Sequence, residues 1–151
     1  MEPCNVRRAR IEDLPQIIAI DEQVTGINKA PYWEDVFDRY GQRRLEERIF
    51  LVASPGDGDP ATVLGYIIGE VRAWEFGSEP CGWVFVFSVD PGTREQGVGE
   101  QLFAAMSDAF RRAGIRTMRT MVQRTNDLHM AFFRSEGMMA GPYLQLEMEL
   151  A

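Results

Sequence analysis

Val89-Asp90-Pro91-Gly92-Thr93-Arg94-Glu95-Gln96-Gly97-Val98-Gly99 is the stretch on which the reading of this chain turns. It follows Trp83-Val84-Phe85-Val86-Phe87, a run apolar at every position, as in a strand covered on both faces and central in its sheet. It opens a segment from Gly97 to about Ala113 in which Val98, Leu102, Ala105, Met106, Ala109 and Phe110 recur at i, i+3, i+4 spacing. That spacing predicts an amphipathic helix, with Gly114 suited to its C-terminal cap. Glycines 97 and 99 carry no Cβ where a ligand would have to approach the backbone. The first turn of a helix also leaves several N–H groups without intrahelical partners, at the positive end of the dipole. Together these features make an anion cradle, suited to a phosphate or pyrophosphate. A tight strand-to-helix turn whose glycines serve packing alone has the same spacing, so the glycine pair by itself leaves both readings open.

Two common phosphate motifs are excluded at this turn. The dinucleotide fingerprint needs GxGxxG, and Gly97-Val98-Gly99 runs on to Leu102; the nucleoside-triphosphate loop needs GKS or GKT, and no lysine is present. Charge favours the cradle. From Pro91 to Arg124 there are six arginines against Glu95, Glu100 and Asp108, a net +3 in a chain of net −7. The one basic segment of an acidic protein thus surrounds a helix-terminal anion site. Arg111 and Arg112 read more simply as a solvated helix face.

Outward from this turn the pattern is regular. Ile49–Ala53 and Thr62–Ile68, rich in β-branched residues, flank Ser54-Pro55-Gly56-Asp57-Gly58-Asp59-Pro60 and predict a hairpin. Upstream, Glu12-Asp13-Leu14-Pro15 starts a helix carrying Leu14, Ile17, Ile18 and Ile20. A second helical pattern runs from about Tyr32 to Arg48, separated from the first by Thr25-Gly26-Ile27-Asn28. Downstream, Thr117–Gln123 reads as a strand, Asn126–Glu136 as a helix ending at Gly137, and Leu144–Leu150 as an alternating strand. The order β-α-α-β-β-β-α-β-α-β is that of an α/β domain with a mixed sheet.

The 151 residues suit one domain spanning 1–151, and 45% hydrophobic with 26% charged residues is the balance of a soluble globular protein. Net −7 and the lack of a basic stripe with interleaved aromatics argue against a nucleic-acid partner. Cys4 and Cys81 form no CxxC and His129 stands alone, so no metal site and no disulfide framework are expected. The N-terminal MEPCNVRRAR has no apolar core of a signal peptide, and no run is long enough to span a bilayer. The expectation is a cytoplasmic protein without a membrane partner, monomer or homodimer.

Val89-x-Pro91-x-x-Arg94-x-x-Gly97-x-Gly99, followed by Leu102, resembles the acyl-CoA-binding motif of the GNAT superfamily of N-acetyltransferases. Asn126, Phe132-Phe133 and Glu136-Gly137-Met138 are similar to the next element of that family, an Asn-led helix ending in Gly-Phe. The element order matches along essentially the whole chain. The resemblance implies a single GNAT-like domain, its mixed, mostly antiparallel sheet flanked by helices on both faces. It implies acetyl-CoA as co-substrate and an amine as acceptor, with no metal. The backbone of Phe87, Ser88 and Val89 would pair with the pantetheine arm. Arg94 and the amides from Glu95 through Gln96, Gly97, Val98 and Gly99 to Glu100 would hold the pyrophosphate. Asn126 would bond the pantetheine or thioester region, and Phe133 would line the cofactor. The family parts two strands around a bulge, here expected at Val89-Asp90, where an N–H would face the thioester oxygen.

The sequence departs from the family at its acid and base. The tyrosine that many members carry seven residues after the Asn is Phe133 here, with Ser135, Tyr143 or solvent as substitutes. The glutamate positions fall on Met121 and near Trp83, which leaves Glu70, Glu79 or an ordered water as base. On the acceptor side, Asp21 and Glu22 would neutralise an ammonium group, and Tyr32 and Trp33 would stack on an apolar or cationic moiety. The expected activity is acetyl transfer to a primary amine of a small molecule or peptide by direct attack on the thioester. The alternative, kept open by the missing Tyr and Glu, is a module that binds acyl-CoA without turnover.

Overall fold

Among the described residues, five strands lie in one sheet in the order of the chain: β1 (Cys4–Arg8), β2 (Arg48–Pro55), β3 (Gly65–Arg72), β4 (Cys81–Val89) and β5 (Met118–Thr120). The computed structural model describes residues 3–151, Glu95 excepted. Four helices accompany the strands: α1 (Leu14–Thr25), α2 (Ala30–Val36), α3 (Val98–Arg112) and α4 (Asp127–Ser135). The chain divides into two compact units, one ending at Met121 and the other beginning at Val122.

In the first unit the neighbours β1–β2, β2–β3 and β3–β4 are antiparallel, and β4–β5 is parallel. The sheet is therefore mixed and mostly antiparallel, as expected. Strand alternation sends residues to two cores. One face carries Phe50, Val52, Tyr66 and Ile68 against Ile17 and Ile20 of α1 and Trp33 and Val36 of α2. The other carries Leu51, Ile67 and Val84 against Val98, Leu102, Met106 and Phe110 of α3. Each such fully buried side chain stabilises by roughly 1.5–3 kcal/mol of transfer free energy. Phe110 presses so closely on the sheet that a Cβ at Gly82 would come within 2.6 Å of its ring.

The helices begin and end where local chemistry places them. Pro15 sits in the first turn of α1, and Gly26 at φ +79° closes it. Ahead of it Asp13, buried, takes two hydrogen bonds of 2.8 Å from the Arg7 guanidinium and one of 2.7 Å from the Arg10 amide, tying β1 to the helix entry. Burial opposes ionisation of Asp13, but these hydrogen bonds outweigh it and hold the carboxyl below its ordinary range.

Three expectations are corrected. The second helix stops well before Arg48: α2 passes into a π-helical turn at Phe37–Gly41, and the chain breaks at Arg44, whose φ is +53°. β5 spans Met118–Thr120 rather than 117–123. Leu144–Leu150, expected as a strand, has no strand pairing among the described residues and is exposed throughout. Alternation records a tendency to extend, whereas a strand also needs an edge to pair with.

In the second unit α4 begins at the Asn126 cap and is followed by Gly137 at φ +100°.

Candidate active site

β4 is paired on both sides only in its first half. Its parallel contact with β5 covers Gly82↔Met118, Trp83↔Arg119 and Val84↔Thr120, and there it ends. The Thr120 hydroxyl donates to the Val84 carbonyl at 2.8 Å, closing the last rung. At the same level the register with β3 shifts, Ile68 facing Val86 and Gly69 facing Val84, so Phe85 is an extra, bulged residue. The strands therefore part at Val84–Phe85, not at Val89-Asp90 as the sequence led us to expect. From there to Val89, β4 keeps β3 on one side and leaves β5 behind on the other.

Antiparallel pairing fixes which backbone groups face that opened side. The Asp90 amide donates to the Leu64 carbonyl at 2.8 Å, so by strand alternation Ser88 and Val86 bond toward β3. Phe87 and Val89 turn their amides and carbonyls the other way. Of the three residues expected along the pantetheine arm, Ser88 is thus turned inward. Its hydroxyl meets Tyr66, directly opposite on β3; burial pushes the Tyr66 phenol well above its ordinary range, and the Ser88 bond opposes that shift.

The turn after β4 is built by Asp90. Its carboxylate accepts from the Gly92 amide at 3.1 Å, its carbonyl accepts from the Thr93 amide and hydroxyl, and a 3-10 turn runs from Pro91 to Gln96. Gly97 follows at φ +79°, a left-handed conformation that a β-branched residue adopts only under strain, and it stands at the N-cap of α3 with no side-chain cap. The first-turn amides of a 15-residue helix are therefore presented without a competing side chain from the cap. Val98 and Gly99 are buried, Glu100 is half-buried, and Arg94 and Gln96 are exposed at the turn. Glu95, expected in the cradle, lies outside the described residues.

A cavity of about 410 Å³ borders this turn from the hairpin side, lined by Cys4, Pro55, Gly58, Leu64, Gln96 and Val98 among others. The Cys4 thiol there is pushed up by burial, which keeps it protonated and unreactive. Cys4 also lies on β1, three strands from β4 and so roughly 14 Å across the sheet. Cys81 is buried at the start of β4.

On the α1/α2 face of the sheet, beside the bulge, a continuous set of side chains meets that sequence reasoning did not assemble. Phe85 packs on Tyr40 at 4.8 Å between ring centroids, and Arg48 lies over Tyr40 at 4.9 Å. Arg48 reaches Glu70 at 3.8 Å, Arg72 reaches it at 3.1 Å, and Arg72 covers the Trp83 ring at 5.2 Å. Glu70 and Trp83 are cross-strand partners. The Glu70 carboxylate thus sits directly across from Trp83, near which the family resemblance led us to expect a glutamate. Its signal was the pairing register, which no sequence window contains. Glu79 is exposed in the loop before β4 and does not join this set.

The expected acceptor residues separate. Asp21 is buried, accepting from Trp33 Nε1 at 3.1 Å and pairing with Lys29 at 3.3 Å, so its charge is already balanced. Trp33 is 2% exposed and belongs to the core, which excludes it from stacking on a ligand. Tyr32 is exposed beside it, and Glu22 accepts from the Asn28 side chain at 3.1 Å at the helix end.

In the second unit, Asn126 spends its side-chain oxygen on the His129 amide at 3.0 Å as the cap of α4. Phe133 is buried against His129 and Phe132, with centroids at 6.0 and 5.5 Å. Tyr143 is exposed. Met121, at one family base position, is exposed at the end of the first unit.

Against known proteins, the sequence profile described as Acetyltransferase (GNAT) family matches residues 14–138. No protein of curated function matches the sequence. Among solved structures, the fold is similar to the aminoglycoside N-acetyltransferase AAC(6')-Iy in complex with CoA, at 16% identity and TM-score 0.81, covering 100% of this chain and 97% of that one. It is similar to a transcriptional regulator from Bacillus halodurans C-125, at 15% identity and TM-score 0.81, covering 98% and 100%. It is also similar to glucosamine-6-phosphate N-acetyltransferase from Arabidopsis thaliana, at 14% identity and TM-score 0.74, covering 99% and 100%. At these identities the likeness is one of fold.

Proposed function

Because the chain belongs to the acetyltransferase (GNAT) family, we propose that it transfers an acetyl group from acetyl-CoA to a primary amine of a small molecule or peptide. The observation that carries this reading is the parting of β4 from β5 at Val84–Thr120, ahead of the uncapped N-terminus of α3. The opened side of β4 suits an extended pantetheine arm, with the Val89 amide and carbonyl facing it. The α3 amides around Gly97 and Gly99, with Arg94, suit a pyrophosphate. These backbone features fit the co-substrate without any metal ligand being called on. Acetyl-CoA supplies an activated thioester.

The residues of this chain would then bind and orient, and the amine would attack the thioester carbon directly. A covalent relay through cysteine is disfavoured, because Cys4 is held protonated on β1 and Cys81 is buried. A bulge N–H beside Phe85 would stabilise the charge developing on the thioester oxygen. Glu70 is the carboxylate best placed for the incoming amine, across from Trp83. Its oxygens lie 3.8 Å from Arg48 and 3.1 Å from Arg72, which fixes their direction, so it suits holding an ammonium group or orienting a water that takes the proton. A thiol of reference pKa ~8.5 leaves tolerably as thiolate near neutral pH, so a buried Phe133 in place of an acid does not preclude turnover. Tyr32 would supply an aromatic surface for the acceptor.

Incubation with acetyl-CoA and a pooled library of amines, read as free-thiol release, tests the reading. The expected result is release above the amine-free background, reduced at least tenfold in Glu70→Gln with acetyl-CoA affinity unchanged. Tight acetyl-CoA binding with no release for any amine would instead identify a module that binds acyl-CoA without turnover. The engaged Glu70 and buried Phe133 are the features favouring that second reading.

A further inference from the structure

Arg48, Glu70 and Trp83 stand in one cross-strand row on β2, β3 and β4, just ahead of the bulge at Phe85. Arg72, two residues beyond Glu70 on β3, lies on the same face. Each guanidinium is held by only part of its edge. Arg72 donates through Nε to Glu70 at 3.1 Å, and Glu75 lies 3.9 Å from the same nitrogen. Arg48 turns Nε toward Glu70 at 3.8 Å and donates through Nη1 to the Arg39 carbonyl at 2.7 Å. Among the described residues, no hydrogen bond takes Nη1 or Nη2 of Arg72, or Nη2 of Arg48, and none of these nitrogens is buried without a partner. Aromatic rings cover one face of each group, Trp83 under Arg72 and Tyr40 under Arg48, and hold the two planes in place. We propose that the acceptor is a primary amine carrying its own carboxylate close by, as a free α-amino acid does: Glu70 takes the nitrogen, and the unbonded N–H groups of Arg48 and Arg72 take the carboxylate.

The proposal rests on acetyl transfer to an amine, as read above, and names the class of that amine. A planar guanidinium edge matches a carboxylate, and a carboxylate between two such edges matches an amine. Spacing agrees. Neighbouring strands lie about 4.8 Å apart, and alternate residues of one strand about 6.6 Å, so one small molecule spans Arg48, Glu70 and Arg72. Charge agrees as well. Two guanidiniums around Glu70 leave one positive charge, with Glu75 farther off on the loop. An amino acid whose nitrogen is deprotonated for attack carries one negative charge. A diamine would instead bring a second cation against two arginines, and like charges are rejected at such a contact. A phosphate monoester would bring nearly two negative charges. In the reaction the nitrogen bonds to the thioester carbon as the carbon–sulfur bond breaks. The proton that the nitrogen sheds balances the departing thiolate, and the products are an N-acetylamino acid and CoA.

The test is free-thiol release from acetyl-CoA with each of the common α-amino acids beside its carboxamide, and with spermidine, a short peptide and ethanolamine phosphate. The carboxamide keeps the amine, in a less basic and so more deprotonated form, and loses only the negative charge. The expected result is at least one amino acid whose kcat/KM exceeds that of its carboxamide tenfold or more. Arg48→Gln and Arg72→Gln should each lower that acid-to-amide ratio at least tenfold, through KM for the acid. Melting curves of both variants accompany the rates. Arginines that only brace the strands would slow both substrates alike and leave the ratio where it was, which overturns the proposal. Equal rates for acid and amide in the wild-type protein overturn it without any variant. So does turnover confined to spermidine, the peptide or ethanolamine phosphate. Each of these results leaves acetyl transfer standing. Acetyl-CoA binding without thiol release for any amine is the separate result that ends the underlying reading, and this proposal with it.

Discussion

The two halves of β4 share one strand and differ in what lies beside them. Cys81–Val84 is held between β3 and β5 and lies close under Phe110; from the bulge at Phe85 to Val89 the strand keeps its pairing with β3 after the pairing with β5 has ended. The held half is filled by packing so tight that two of the glycines it involves, Gly69 and Gly82, have no space for a methyl group. The opened half ends in a turn shaped by Asp90 and in a glycine at positive φ. One half therefore spends its backbone hydrogen bonds on stability, and the other directs part of them outward, where a ligand can meet them. In the function proposed above, the site arises where a strand pairing stops partway.

The largest expected effect breaks the opened half. Gly97→Val forces a β-branched residue to φ +79°, which costs roughly 1–2 kcal/mol or more in backbone strain and puts a branched side chain at the cradle. Acetyl-CoA affinity should fall at least ~100-fold, about 2.7 kcal/mol, while the fold survives. Calorimetric titration beside a melting curve checks both, and undiminished affinity in a folded variant would remove the cradle from the site. The matching change in the held half should do the reverse. Gly82→Ala drives a Cβ within 2.6 Å of the buried Phe110 ring. Overpacking of this kind should cost about 2–3 kcal/mol of stability, with acetyl-CoA affinity little changed. If the alanine variant instead loses affinity as steeply as stability, the two halves are not independent.

A third prediction concerns the frame that positions both halves. The folded-state pKa of Asp13 is depressed, so its contribution is present above the ordinary carboxylate value and is lost as pH falls through the folded one. Asp13→Asn should therefore cost about 2 kcal/mol at pH 7, in the range of hydrogen bonds to charged groups. The difference from wild type should shrink below about pH 4, the reference carboxylate range. Chemical denaturation at several pH values measures it. A difference that stays constant down to pH 2 would mean that the Arg7 pair is not what holds the helix entry.

The same contrast explains what the sequence could disclose. The turn that carries the proposed cradle was legible because it is local: a strand, a turn residue, glycines and a helix start lie within a dozen positions, and each constrains the backbone by itself. The order of elements followed from periodicity for the same reason. The parting of the strands was misplaced by about five residues because it depends on where β5 stops, and β5 is some thirty residues downstream. The Arg48–Glu70–Arg72 cluster joins β2 and β3 through their register, so only the assembled sheet reveals it. Trp33 shows the converse limit, since an aromatic at the rim of a helix pattern looks available to a ligand until Asp21 and Tyr66 enclose it. At 144–150 the alternation discloses a tendency to extend and nothing about pairing, because alternation does not say which edge a strand would meet.

The smallest expected effect asks whether the second unit supplies chemistry or packing. Phe133 stands at the position where the family resemblance led us to expect a tyrosine that protonates the departing thiolate, and it is buried with edge-on contacts to His129 and Phe132. A catalytic vacancy predicts that Phe133→Tyr gains rate, most visibly at lower pH, where a thiolate leaves less readily without a proton. A packing position predicts a hydroxyl in an apolar contact, with a cost near the lower end of the range for a buried unpaired polar group, about 1 kcal/mol. The ring contacts favour packing, so the expected outcome is a slightly lower melting temperature and turnover within twofold of wild type from pH 6 to 9. Turnover and melting must be measured on the same preparations, because a stability loss alone could lower the active fraction and mimic a slower step. A rate gain that grows as pH falls would overturn the packing assignment and place the Phe133 ring edge against the thioester sulfur. Thiol departure would then be a step in which this chain takes part, and the second unit would supply chemistry as well as packing.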